Sequence, residues 1–123
     1  MQNNNQEAYV HLSADETVLT FYYDALRAER DGTTWGIEEK IWNSQLPAWT
    51  SNINTTILTV VFDTTFRGFR PTTTARWFQF FKSLKHIEGM EHLNTAQVTD
   101  MNDMFSGCKS LTSLDLSSFD TSK

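Results

Sequence analysis

The C-terminal half of the chain matches itself at a fixed spacing. Phe78 through Leu84 (Phe-Gln-Phe-Phe-Lys-Ser-Leu) aligns with Phe105 through Leu111 (Phe-Ser-Gly-Cys-Lys-Ser-Leu), an offset of 27 (105 − 78). Ile87 then falls on Leu114, and Leu93-Asn94-Thr95 falls on Phe119-Asp120-Thr121 at an offset of 26 (119 − 93). The same offset of 27, taken back from Leu84 and Ile87, reaches Ile57 and Val60, inside the β-branched run Ile57-Leu58-Thr59-Val60-Val61-Phe62. A short unit that recurs in this way cannot bury its apolar face alone. It is stable only when stacked on its neighbour, so the same positions must meet in register from unit to unit.

Inside one unit the apolar spacing changes. In Leu111-Thr112-Ser113-Leu114-Asp115-Leu116, Leu114 and Leu116 alternate with Ser113, Asp115 and Ser117, as in a half-buried strand. From Val98 to Cys108 the apolar residues stand at 98, 101, 104, 105 and 108, which predicts one face of a short helix. Asp100 would lie in its first turn and Gly107 would supply a left-handed cap. Pro71 through Phe78 predicts the same helix one unit earlier, with Pro71 opening it and Trp77 and Phe78 in the places of Met104 and Phe105. One strand and one short helix in each unit, at offsets of 26 (119 − 93) and 27 (105 − 78), is the period class of leucine-rich repeats. The expected fold is thus an α/β leucine-rich-repeat solenoid, with units beginning near 57, 84 and 111.

Residues 1–56 do not repeat and read as an N-terminal cap, which a solenoid needs to cover its first unit. Tyr9-Val10-His11-Leu12, a turn through Ser13-Ala14-Asp15-Glu16, and Thr17 to Tyr23 predict a β-hairpin with Leu19, Phe21 and Tyr23 on one face. Asp31-Gly32 marks a second turn, and Trp42, Leu46 and Trp49 around Pro47 read as an aromatic plug joining cap to repeats. With 123 residues, 39% of them hydrophobic, the chain can build one modest core. Cap and repeats are therefore expected to form one cooperative unit.

The stretch Leu93 to Ser122 closely resembles the BspA-type leucine-rich-repeat proteins, also described as mycoplasma lipoprotein-like repeats. The residues that carry the resemblance are Val98-Thr99-Asp100-Met101, Met104-Phe105, Cys108, Leu111-Thr112-Ser113-Leu114-Asp115-Leu116-Ser117 and Phe119-Asp120-Thr121-Ser122. Tyr9 to Asp24, Val60 to Asp63 and Arg70 to Phe78 look like the segment that precedes such repeats in bacterial surface proteins. The resemblance implies a secreted or surface-attached, non-enzymatic protein used in adhesion or in binding host extracellular or other surface proteins. The alternative is a structural cap that starts a longer repeat array and binds nothing itself. Such arrays usually run through many units, whereas here Thr121-Ser122-Lys123 stops where the next helix would begin. A fragment of a longer protein, or self-association through the uncapped edge, is the expectation.

Candidate binding residues are the outward strand positions, which stack into two columns. Thr59, His86 and Ser113 form one, and Val61, Glu88 and Asp115 form the other. A net charge of −5 with scattered basic residues lacks the stripe that neutralises phosphates, so nucleic acid is not an expected partner. His86, Glu88 and His92 do not converge as zinc requires, and neither metal nor cofactor is expected. Asp100 and Asp103 read as solvated turn carboxylates, and Asn54-Thr55-Thr56 as a chance sequon. Cys108, the single cysteine, reads as a small buried hydrophobe. No nucleophile triad, phosphate loop or zinc-protease motif is present, so no catalysis is expected. Met1 to Gln6 is polar, and neither an export signal nor a membrane span is encoded, which leaves a cytosolic protein or a mature chain whose signal was removed.

Overall fold

A computed structural model describes residues 6–37, 49, 55–101 and 103–111. Among these residues five strands form one sheet: β1 Glu7–Leu12, β2 Val18–Asp24, β3 Thr34–Gly36, β4 Thr59–Phe62 and β5 His86–Glu88, in the order β3-β1-β2-β4-β5. Among the described residues 3-10 turns lie at Arg27–Glu29, Thr64–Gly68 and Met90–His92, and Trp49 is also in 3-10 conformation. The fold is mixed α/β in this broad sense.

The hairpin forms as expected. β1 and β2 pair antiparallel with Val10 opposite Phe21 and Leu12 opposite Leu19. Its turn is held by local side chains. The Ser13 and Thr17 hydroxyls both donate to Asp15 Oδ1, at 2.8 and 2.7 Å, and the N–H groups of Thr17 and Val18 donate to Ser13 Oγ. This is the Asx and Ser chemistry that lets Glu16 take a left-handed φ of 63°. Beyond β2 the pairing changes hand, for β4 lies parallel to β2 and β5 parallel to β4.

The repeat period is visible in the β4 and β5 register, where Thr59 pairs with His86, Val60 with Ile87 and Val61 with Glu88. Each pair is separated by the offset that the self-match requires (86 − 59 = 27). The turn segments stack at the same period. The N–H groups of Thr74, Phe78 and Phe80 donate to the carbonyls of Asp100, Met104 and Ser106 at 3.0, 2.9 and 2.7 Å, and Thr99 N–H returns a bond to Thr72.

The helices expected over 71–78 and 98–108 do not form. Successive turns take their place, closed by bonds such as Trp77 N–H to Thr74 and Phe81 N–H to Phe78, and Asp100 forms a parallel bridge with Thr73. Arg76, Phe80, Asp103 and Gly107 have φ of 61°, 67°, 58° and 80°, each of which ends a helical run. The backbone therefore bonds sideways to the next unit instead of along itself. Gly107 does adopt the expected left-handed conformation, and a Cβ there would sit 2.9 Å from Phe80 Cδ1.

The core lies on the inner face of the sheet. Phe21 is its centre, with ring centroids of Phe62, Trp77, Trp49, Phe66 and Phe78 between 4.8 and 5.7 Å away. All six are fully or almost fully buried. Trp49 belongs to the expected aromatic plug; it is 1% exposed and its Nε1–H donates to the Trp77 carbonyl at 2.9 Å. Trp42, Leu46 and Pro47 lie outside the described residues.

The outer face of the hairpin carries a second, smaller assembly. Tyr9 stacks on Tyr22 at 5.4 Å, and the Arg30 guanidinium lies 3.6 Å from the Tyr22 ring centre. Arg30 donates to Tyr9 Oη and to Asp24 Oδ2, and Tyr9 Oη–H donates to Asp24 Oδ1. These bonds strap residues 24–30 over Tyr9, which is fully buried as a result. Burial, together with Asp24, pushes the Tyr9 phenol up to about 12 despite the Arg30 bond. Burial alone would raise the Asp24 carboxyl, but donors from Tyr9, Leu26 and Arg30 hold it below the usual range.

These two shifts have opposite consequences for stability. A depressed carboxyl stabilises the fold above its unfolded value near ~4, and that contribution is lost as pH falls through the folded value. A raised phenol stabilises the fold below its unfolded value near ~10, and that contribution is lost as pH rises towards the folded value. The urea midpoint is expected to be flat from about pH 5 to 9 and to fall on either side. Asp24→Asn should flatten the acid limb and Tyr9→Phe the alkaline limb; unchanged limbs in both variants would refute the assignment.

Candidate binding face of the sheet

The outward positions of β4 and β5 alternate with core positions, because neighbouring side chains of a strand point to opposite faces. Val60 and Phe62 are buried, while Thr59 and Val61 are half-exposed. On β5, His86 and Glu88 are exposed and Ile87 is half-buried against the core. The structure thus brings four of the six expected residues together in two adjacent pairs, Thr59 beside His86 and Val61 beside Glu88. Ser113 and Asp115 lie outside the described residues.

Sequence reasoning missed the contribution of β2. Val18 pairs with Thr59 and Thr20 with Val61, and both are half-exposed, so each column gains a residue on its β2 side. Their alternation with Leu19 and Phe21 was legible, but no repeat relates β2 to β4, and the parallel pairing left no trace in the pattern. The resulting face is a flat array of β-branched side chains, Val18, Thr20, Thr59 and Val61, with His86 and Glu88 along one border. Such a surface offers methyl groups, hydroxyls, one imidazole and one carboxylate.

The remaining polar candidates are placed elsewhere. His92 is largely buried, and its Nδ1 accepts a 2.6 Å bond from Arg67 Nε–H, while Nε2 lies 3.6 Å from the Glu91 carboxylate. With Nδ1 accepting, the ring proton is assigned to Nε2. Arg67, Glu91 and His92 line a cleft of about 260 Å³ with Leu93 to Ala96. A wider cleft of about 550 Å³ opens between Gln6, Glu7, Tyr23, Phe69 and Arg70. Cys108 is half-buried and its thiol donates to the Phe78 carbonyl at 3.1 Å; burial pushes it up, away from the reactive thiolate. Among the described residues no group of three or more His, Cys, Asp or Glu could hold a metal ion, and no helix is long and apolar enough to cross a membrane.

Residues 71–123 match the family described as Mycoplasma protein of unknown function, DUF285. No curated protein and no solved structure matches the chain.

Proposed function

We propose that this chain is a non-enzymatic protein-binding scaffold of the BspA-type leucine-rich-repeat kind, acting at the cell surface or after secretion. Its contact face is the outward array of Val18, Thr20, Thr59, Val61, His86 and Glu88. The observation that carries this reading is the assembly of these residues into two straight columns across three parallel-paired strands. The single period that governs both the strand register and the turn ladder supports a solenoid built by adding units. The test is saturable binding of the chain to immobilised extracellular-matrix and plasma proteins, measured beside a His86→Ala, Glu88→Ala double variant. At least a ~10-fold weaker Kd in the variant is expected, equal to the loss of about 1.4 kcal/mol at the face. Equal binding by both proteins would remove the face from the reading.

The second reading, a structural cap for a longer array, is favoured by one observation. Met101, Phe105 and Cys108 are half-exposed, whereas their counterparts one unit earlier, Thr74, Phe78 and Phe81, are fully buried. This reading expects no saturable binding to any host protein.

A further inference from the structure

The turns Thr64–Gly68 and Met90–His92 belong to successive units, and Arg67 stands one period before Asn94 (94 − 67 = 27). Between them lies the cleft of about 260 Å³ lined by Arg67, Glu91, His92 and residues 93–96. Both walls lie inside the described chain, so this cleft is a seam between two stacked units and not the open end of the array. One wall is held by its own backbone. The N–H groups of His92, Leu93 and Val98 donate to the carbonyls of Gly89, Met90 and Thr95, and Ala96 N–H donates to Asn94 Oδ1 at 3.0 Å. The other wall is Arg67. Its Nε–H is committed to His92 Nδ1 at 2.6 Å, a bond that orients the guanidinium and fixes the tautomer of the ring together. The Arg67 Nη groups find no acceptor among the described residues. His92 Nε2–H faces the Glu91 carboxylate at 3.6 Å, beyond hydrogen-bond length. An N–H on a largely buried ring gains from any oxygen that reaches it, and here it shares one cleft with the free end of a guanidinium.

We propose that this cleft binds a carboxylate, carried by an acidic side chain or by the C-terminus of a polypeptide, and holds it with the Arg67 Nη groups and His92 Nε2–H. Three features define the ligand. The guanidinium offers its donors as a planar fork, which matches the paired oxygens of a carboxylate. Glu91 then limits the charge: its side chain is 65% exposed and free to turn aside, but its negative charge stays at the mouth, so a monoanion is admitted more readily than a phosphate dianion. The volume of the cleft suits one small group and not a length of folded chain. The cleft shares no residue with the outward columns, so either site can fail without the other.

The experiment follows the Arg67 Nε–H and the backbone amides of His92, Thr95 and Ala96 by NMR in the whole chain, at neutral pH and fixed ionic strength. The probes are a glycyl-glutamyl-glycine peptide blocked at both ends, its glutaminyl counterpart, a triglycine peptide blocked only at its N-terminus, and inorganic phosphate. Saturable shifts are expected with the glutamyl peptide or with the free C-terminus, and the tighter of the two identifies the source of the carboxylate. Arg67→Lys, which keeps the charge and loses the fork, should bind at least ~10-fold more weakly. Because that change also removes the bond to His92, Glu91→Gln at an exposed position provides the variant that leaves the cleft intact; it should bind about 2–5-fold more tightly, by removal of the competing charge. Shifts equalled by the glutaminyl peptide, no saturable shift with either carboxylate, or weaker binding by Glu91→Gln would overturn the proposal. Tighter binding of phosphate than of both carboxylates would overturn it in favour of a phosphorylated ligand.

Discussion

Replacing Phe21 with alanine is expected to cost about 3–5 kcal/mol, measured as the change in unfolding free energy from urea titrations followed by tryptophan fluorescence. Phe21 is fully buried at the centre of five aromatic neighbours. Removing it deletes the transfer energy of a benzyl group and leaves a cavity walled by Phe62, Phe66, Trp77, Phe78 and Trp49. Rings of that size, themselves packed on a sheet, cannot collapse to fill it. Whole domains are stable by only about 5–15 kcal/mol, so a large part of the margin rests on this one side chain. Phe21→Leu, which retains most of the volume, should lose far less, about 1–1.5 kcal/mol. A cost below about 1 kcal/mol for the alanine variant would mean that Phe21 is not the centre of the core.

Gly89→Ala should be nearly as damaging although it adds one methyl group. Gly89 has a φ of 75°, in the left-handed region that costs an L-residue roughly 1–2 kcal/mol. A Cβ would also collide with the Phe62 carbonyl oxygen. That oxygen belongs to the β4 backbone, which is fixed by its parallel partner on either side. Something in the sheet must shift, and overpacking of this kind typically costs about 1–3 kcal/mol. Together these give about 2–5 kcal/mol, readable as a fall in Tm. Alanine at the exposed neighbour Glu88 should leave Tm within about 1–2 °C of the parent, since surface changes are usually small. A Gly89→Ala protein with an unchanged Tm would show that the turn into Met90–His92 does not approach β4 as closely as described.

Two kinds of information are legible in the chain without its structure. Local alternation marks the hairpin, because Leu19, Phe21 and Tyr23 share one face and the Ser13 to Glu16 turn carries its own hydrogen-bonding side chains. The self-match specifies the β4 and β5 register to the residue, because stacked units must meet at equivalent positions. The turn segments depart from the expected helices for a physical reason. Apolar residues at 98, 101, 104, 105 and 108 suit a helix face, but they suit equally a string of turns that returns to the core every few positions. The deciding facts are left-handed positions at Arg76, Phe80 and Asp103, which residue type does not announce, and carbonyls engaged by the neighbouring unit, such as Met104 by Phe78. The candidate face is legible where the repeat extends and blank where it does not, so Thr59, Val61, His86 and Glu88 stand out in the sequence and Val18 and Thr20 do not. The strap of Arg30 over Tyr22 is equally hidden, since it depends on where the chain returns after β2.

The change of pairing hand at β2 also orders the events of folding. β1 and β2 close across a short turn, Leu12 meeting Leu19, while β2 meets β4 only after a far longer loop brings Thr59 to Val18, and β5 follows one period later when His86 reaches Thr59. The entropy of closure rises with loop length, and short-range hairpins form within microseconds. We therefore expect the hairpin to assemble first and its β2 edge to serve as the template on which β4 and then β5 condense. Growth then proceeds from the N-terminus towards the C-terminus, the direction in which a ribosome releases the chain, so each new unit meets a finished surface as it emerges.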